Sequence, residues 1–255
     1  TGEMSHITKS PLWGQFSKFL PIKYTLRMLA RSHGSSGGAS ILEWQDAVRE
    51  RAFEAREGLR EKDVRYRIPR GSQLAAGFPN RGAKSPSKSM ERFLNHFTVV
   101  VQGGGRGRVV GMCAEMGMIC VDRSSMEARL TEVGLEFVRL ENPQLEGHEG
   151  SIESLSEEER VFLINHMMTN MEDDWSFTKL VMQAIENGKN TSPKLEGGVE
   201  DLKGGRWGLD GGFGTYVRGA LGRTSELGLI ERSWEGRLVT YYLTKEGRSV
   251  LGDRK

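Results

Sequence analysis

At 255 residues, with 37% hydrophobic and 27% charged side chains, the chain has room for two ordinary globular domains, each able to bury a core. No run approaches the roughly 18 apolar residues of a membrane span, and the N-terminus lacks a secretory pattern, so a cytoplasmic protein without membrane contact is expected. Only Cys113 and Cys120 are present, without a CxxC pair, which argues against structural zinc and disulfides.

The net charge of +2 hides a division. Residues 1–130 hold 21 Lys/Arg against 12 Asp/Glu, residues 131–205 hold 6 against 16, and residues 206–255 hold 9 against 6. Such asymmetry points to a polyanion or an acidic partner on the basic parts.

In chain order, Ile22, Leu26 and Leu29 predict a helix over residues 21–31. Ser40 and Glu43 form a capping-box signature for a helix running to about residue 61, with Ile41, Trp44, Val48, Ala52 and Leu59 on its apolar stripe. Residues 63–88 read as a basic insertion broken by Pro and Gly, with a short strand over residues 64–68. Its Arg65, Arg67 and Arg70 suit phosphate contact. Helices follow over residues 89–97 and 106–116, then paired strands over 118–121 and 128–130, then a helix capped by Thr131.

Residues 144–155 read as a linker between a first domain (10–143) and a second (156–255). Ser156 and Glu159 make another capping box. Residues 175–177 read as a strand, Thr178 as a helix cap, and residues 190–212 as a long polar loop. A helix over residues 213–227, strands over 230–233 and 238–243, and a helix capped by Thr244 complete the chain.

One phrase occurs twice. Glu115-Met116-Gly117-Met118-Ile119 precedes Leu130-Thr131-Glu132-Val133-Gly134, and Glu226-Leu227-Gly228-Leu229-Ile230 precedes Leu243-Thr244-Lys245-Glu246-Gly247. The offsets are 111 and 113 residues, the mark of a duplicated supersecondary unit. Each copy reads as a helix end, a hairpin and a helix start.

With Leu-Gly-Leu-Ile ending the third helix and Tyr-Tyr-Leu-Thr-Lys-Glu-Gly-Arg closing the hairpin, the second half resembles winged helix-turn-helix domains of prokaryotic regulators. The first half matches over residues 106–140. The resemblance implies a mainly α fold with small β wings (α+β), as two winged-helix domains in tandem, the first carrying a long helix and the basic loop. It also implies binding of double-stranded DNA, with the third helix in the major groove and the wing on a flanking groove or the backbone. On this chain the residues so implied are Thr215, Tyr216, Arg218, Gly219 and Arg223 on the second third helix, with Arg232 and Arg237 on its wing. In the first copy they are Arg106 and Arg108 on the helix and Arg123 and Arg129 on the wing. Arginine suits this work because its planar fork binds guanine edges or phosphates bidentately.

Residues 98–107 followed by Asp122 imitate a dinucleotide-binding strand–glycine–helix–strand, but the unit stands alone, without further βαβ units. The five histidines show no metal-ligand spacing, and no nucleophile–base pairing emerges. The expectation is a transcriptional regulator without catalysis, cofactor or metal. The alternative is a non-catalytic assembly module of a larger complex, built on the same winged-helix domains and docking a protein partner.

Overall fold

The computed structural model describes residues 11–12, 14–32, 38–101, 109–203, 212–236 and 238–252. The fold is mixed, mainly helical with small antiparallel sheets, and divides into two compact units. Among the described residues, the first unit comprises Phe19–Glu159, and the second combines residues 11–18 with everything from Arg160 onward. No described helix is long and apolar enough to cross a membrane.

The first unit opens with α1 (Leu20–Ser32), which buries Ile22, Leu26 and Leu29 completely. Strand β1 (Ala39–Ser40) leads directly into α2 (Ile41–Arg65), whose Trp44 Nε1 donates to the Thr25 carbonyl at 2.8 Å. The expected Ser40–Glu43 capping box does not form: Ser40 makes no side-chain cap bond, because its backbone is committed to pairing with Glu127. Helix α2 also runs to Arg65, so the strand expected over residues 64–68 is a helix end followed by a turn.

Helix α3 (Pro86–Phe97) starts at Ser85, which accepts from Lys88 N. Strands β2 (Val100–Val101) and β3 (Val109–Val110) pair antiparallel, and the strand that ends at Asp122 belongs to a different sheet, so the two do not lie side by side in one parallel sheet as a dinucleotide fold requires. The expected helix over residues 106–116 is reduced to α4 (Met112–Glu115), and residues 102–108 lie outside the described set. Strands β4 (Ile119–Asp122) and β5 (Glu127–Leu130) then form a sheet of order β1-β5-β4, closed by α5 (Glu132–Arg139).

The second unit is helical around one hairpin. Helices α6 (Glu157–Asn170) and α7 (Glu172–Glu186) lead to Thr191, which bridges Thr240, and then to α8 (Ser192–Lys203) and α9 (Phe213–Glu226). Strands β6 (Ile230–Glu235) and β7 (Leu238–Leu243) pair antiparallel before α10 (Lys245–Gly252). Three expectations change here. The strand placed at residues 175–177 lies inside α7, whose first turn carries Glu172, Asp173 and Asp174, a charge pattern that favours a helix start. Thr178 is therefore buried within the helix rather than capping it. The loop placed over residues 190–212 contains α8, which the Gly197–Gly198 pair disguises but Leu195 and Val199, both fully buried at i,i+4 spacing, hold down.

The repeated phrase builds one junction twice. Gly117 and Gly228 take φ of +66° and +73°, ending α4 and α9 in a left-handed turn. Thr131 Oγ1 donates to Gly117 O at 2.8 Å, as Thr244 Oγ1 does to Gly228 O at 2.8 Å. Thr131 N reaches Met118 O at 3.0 Å, and Thr244 N reaches Leu229 O at 3.1 Å. The same hydroxyls accept from Gly134 N and Gly247 N at 3.1 and 3.0 Å, capping α5 and α10.

Each closing helix packs its glycine on the strand start. A Cβ on Gly134 would lie 2.0 Å from Met118 O, and one on Gly247 would lie 2.1 Å from Leu229 O. Gly134→Ala and Gly247→Ala are therefore expected to cost about 1–3 kcal/mol each. Urea unfolding of the two variants checks this, and a neutral alanine at either site contradicts it.

Residues 144–155 do not hang free between the units but are tied into the first. Asn142 Nδ2 donates to Ser154 O, and Gln144 Nε2 to Ser151 O and Glu153 O. The Ser156–Glu159 capping box does form, with Ser156 N donating to Glu159 Oε2 at 2.8 Å and Glu159 N to Ser156 Oγ at 3.2 Å. The Glu159 carboxylate then meets Lys23 Nζ at 2.8 Å, both side chains fully buried.

Nearer the surface, Arg27 grips Glu146 with both nitrogens, at 2.5 and 2.6 Å. That hydrogen bonding holds the Glu146 carboxyl below its ordinary value of 4.5. A depressed carboxyl stabilises the fold above its unfolded pKa and loses that effect as pH falls through its folded one. Glu146→Gln should cost about 0.5–1 kcal/mol at pH 7, for a partly exposed bidentate pair. The deficit should narrow between pH 7 and about pH 4, as the unfolded-state carboxyl begins to take up its proton. Paired denaturation curves at the two pH values test the convergence.

Candidate nucleic-acid interface

The segment after α2 is a held loop that turns its cations outward. Asp63, buried at the end of α2, accepts from Leu74 N at 2.7 Å and Ala75 N at 3.1 Å. Phe78 packs on the rings of Tyr24 (5.4 Å) and Phe93 (5.5 Å), and the Arg81 guanidinium lies 5.1 Å from the Phe53 ring centroid. With Leu74, Ala75, Phe78 and Pro79 buried, the polar residues of the loop are pushed to the surface.

Arg65, Arg67 and Arg70 are exposed, as are Arg81, Lys84, Lys88 and Arg92. Residues 64–98 contain these seven cations and a single carboxylate, Glu91. No ion pair ties any of the seven to a carboxylate among the described residues. On α3, Met90, Phe93, Leu94 and Phe97 face inward, while Lys88, Arg92 and Asn95 share the outer face at i, i+4 and i+7. Burial, aided by Arg92, holds the neighbouring His96 below its ordinary value.

Helix α3 also makes contact with α4. Helix α4 sits against its end: Cys113 Sγ donates to Phe97 O at 3.0 Å, and a Cβ on Gly111 would lie 2.4 Å from Thr98 O. The ends of the β2–β3 excursion thus meet, and α3 and α4 pack together across it. Arg92 and Asn95 were not singled out by sequence. The signal was their spacing opposite the apolar stripe of α3.

The remaining candidates fare differently. Arg106, Arg108 and Arg237 lie outside the described residues. Arg123 is half-buried in the β4–β5 turn, and Arg129 is paired with Glu127 at 3.2 Å. Arg223 is corrected outright: it is fully buried, salt-bridged to Asp174 at 2.7 Å and bonded to Phe16 O at 2.6 Å, so it reaches no groove. Burial pushes the Asp174 carboxyl up, against the pull of Arg223 and of the Leu12 amide.

Arg232 is also turned inward, half-buried with its guanidinium 5.8 Å from the Tyr241 ring and donating to Leu221 O. Tyr216 packs edge-on against Phe177 (6.4 Å), and the Thr215 carbonyl is covered by Gly14. Gly219 lies under the same residue. Of the α9 candidates, Arg218 alone is exposed among the described residues, and it pairs with Glu196 at 3.0 Å. The β6–β7 hairpin instead exposes Trp234, Leu238 and Tyr242 beside Glu231 and Glu235.

The two units therefore present unlike surfaces. One offers unpaired cations on a long helix, a pinned loop and an amphipathic helix. The other offers a covered α9 and a hairpin that exposes Trp234, Leu238 and Tyr242 beside two glutamates. Comparison of the chain with protein-family models, with curated proteins and with solved structures finds no match.

Proposed function

We propose that the chain is a non-catalytic double-stranded DNA-binding protein, a transcriptional regulator built on two winged-helix units, with its phosphate contacts concentrated on the first. The winged-helix reading is supported by an order of helix, short strand or bridge, helix, helix, hairpin and helix in both units, into which the first inserts β2, β3 and α4. It is supported further by the way β1 pairs with β5 and Thr191 bridges Thr240 at the corresponding place in the second unit.

The observation that carries DNA binding is the run of exposed cations from Arg65 to Arg92, free of carboxylate partners among the described residues. Such a surface gains affinity by releasing counterions from the duplex, and α3 offers Lys88, Arg92 and Asn95 to base edges. The test is a gel-shift titration against random duplex and single strands at two salt concentrations. Salt-sensitive duplex binding is expected, and its absence at low ionic strength defeats the reading.

For the second unit, the assembly reading has its own support. Glu231 and Glu235 repel phosphates, and the exposed Trp234, Leu238 and Tyr242 suit a protein partner.

A further inference from the structure

The outer face of α9 carries a clamp for polypeptide main chain. Val217, Ala220, Leu221 and Thr224 turn towards the core of the second unit, while Thr215, Gly219, Gly222 and Arg223 lie on the opposite side of the helix. On that side runs the segment 11–18, whose described residues form no helix or strand and turn at Gly14–Gln15.

Main-chain contacts hold both ends of it. The Leu12 amide donates to Asp174 Oδ1 at 2.7 Å, and the Phe16 carbonyl accepts from Arg223 Nη1 at 2.6 Å. The two clamping groups pair with each other at 2.7 Å, and their side chains are 0% and 1% exposed.

Between the ends, the backbones touch through glycine. A Cβ on Gly14 would lie 1.7 Å from Thr215 O, one on Gly219 would lie 2.4 Å from Gly14 Cα, and one on Gly222 would lie 2.6 Å from Ser17 O. Leu12 and Phe16 are buried on either side of the turn. Shape, two charge-assisted hydrogen bonds and two apolar anchors together specify a Leu-x-Gly-x-Phe segment. In sequence this segment is separated from the rest of its unit by Phe19–Glu159, the whole of the first unit.

We propose that this cleft is a peptide-binding site of the second unit, that the segment carrying Leu12, Gly14 and Phe16 fills it in cis, and that the same segment of a second copy enters it when this strap opens. The site requires no nucleic acid, so it stands or falls apart from DNA binding.

The probe is a labelled synthetic peptide of residues 8–18, titrated by fluorescence anisotropy into the full wild-type chain and into full-length Gly14→Val, whose own strap no longer fits. Binding about tenfold or more tighter to the variant is expected, because the wild-type cleft is mostly occupied. Asp174→Ala in the Gly14→Val background, or Gly14→Val in the peptide, should abolish it. Equal affinity for both chains, or binding to neither, overturns the proposal.

Hydrogen exchange on the wild-type chain decides the matter should Gly14→Val fail to fold. The Leu12 amide is expected to exchange at least about tenfold faster than the buried amides of α9, as a segment that opens on its own. Protection equal to that of α9 makes the strap ordinary core and overturns the proposal.

Discussion

Glu159→Ala is expected to destabilise the first unit by about 3–5 kcal/mol, the range for breaking a buried ion pair from one side. The carboxylate is fully buried and holds Lys23 Nζ at 2.8 Å, Asn142 Nδ2 at 2.7 Å and Ser156 N at 2.8 Å. Lys23 also donates to the carbonyls of Phe137 and Leu140 and lies 4.5 Å from the Phe137 ring centroid, so the network ties α1 to the end of α5 and the start of α6. Burial pushes Glu159 up and Lys23 down, and in each the partner's charge opposes it. Truncating the acid leaves a desolvated ammonium facing two carbonyls, and it also deletes the α6 capping box.

The double replacement Lys23→Met with Glu159→Leu should recover much of the loss, because it removes both desolvation penalties together. Urea unfolding followed by circular dichroism measures both variants. A loss below about 1 kcal/mol for the single change means the pair is solvated and the network incidental.

Replacing Arg65, Arg67 and Arg70 together by alanine should weaken duplex binding by about 10- to 100-fold near 0.1 M salt. It should also flatten the log–log salt dependence by up to roughly 2.7, or about 0.9 for each phosphate no longer neutralised. The three side chains are exposed and take no part in the Asp63 bonds that pin the loop, so the fold should survive. Arg218→Ala is the matched control. Its guanidinium is paired with Glu196 on a helix whose outer face is covered, and its removal should leave affinity within about twofold. Anisotropy titrations over a salt series compare them. The reverse outcome, with the triple variant unchanged and Arg218→Ala impaired, moves the interface to the second unit.

Local chemistry in the sequence announces much of this molecule. The repeated phrase foretells both junctions, because Gly117 with Thr131, and Gly228 with Thr244, act through bonds to residues nearby along the chain. Ser156 and Glu159 foretell a capping box for the same reason. Ser40 and Glu43 carry the same letters, yet β5 claims the Ser40 backbone from 87 residues away. Helix α8 escapes notice because two glycines hide the burial of Leu195 and Val199, which only tertiary packing supplies.

The candidate interface divides along the same line. The basic loop is legible as composition, and the outer face of α3 as periodicity. The fate of Arg223 is not, for its partners are Asp174 and a carbonyl near the opposite end of the chain. An arginine on a glycine-rich helix reads alike whether it faces water or is sealed beneath another segment.

The strap also sets an order of assembly. Leu12 meets Asp174 across 162 residues and Phe16 meets Arg223 across 207, whereas each junction closes within a few tens of residues. Contacts so distant in sequence are the last to form. During synthesis at about 5–20 residues per second, Leu12 and Phe16 leave the ribosome roughly 8–40 s before their partners exist. For that interval the nascent chain carries an apolar anchor with nowhere to dock, while the first unit, complete by Glu159, folds beside it. Slowing elongation in the second half should lengthen the time for which a chaperone, or the cleft of a finished neighbour, can hold it.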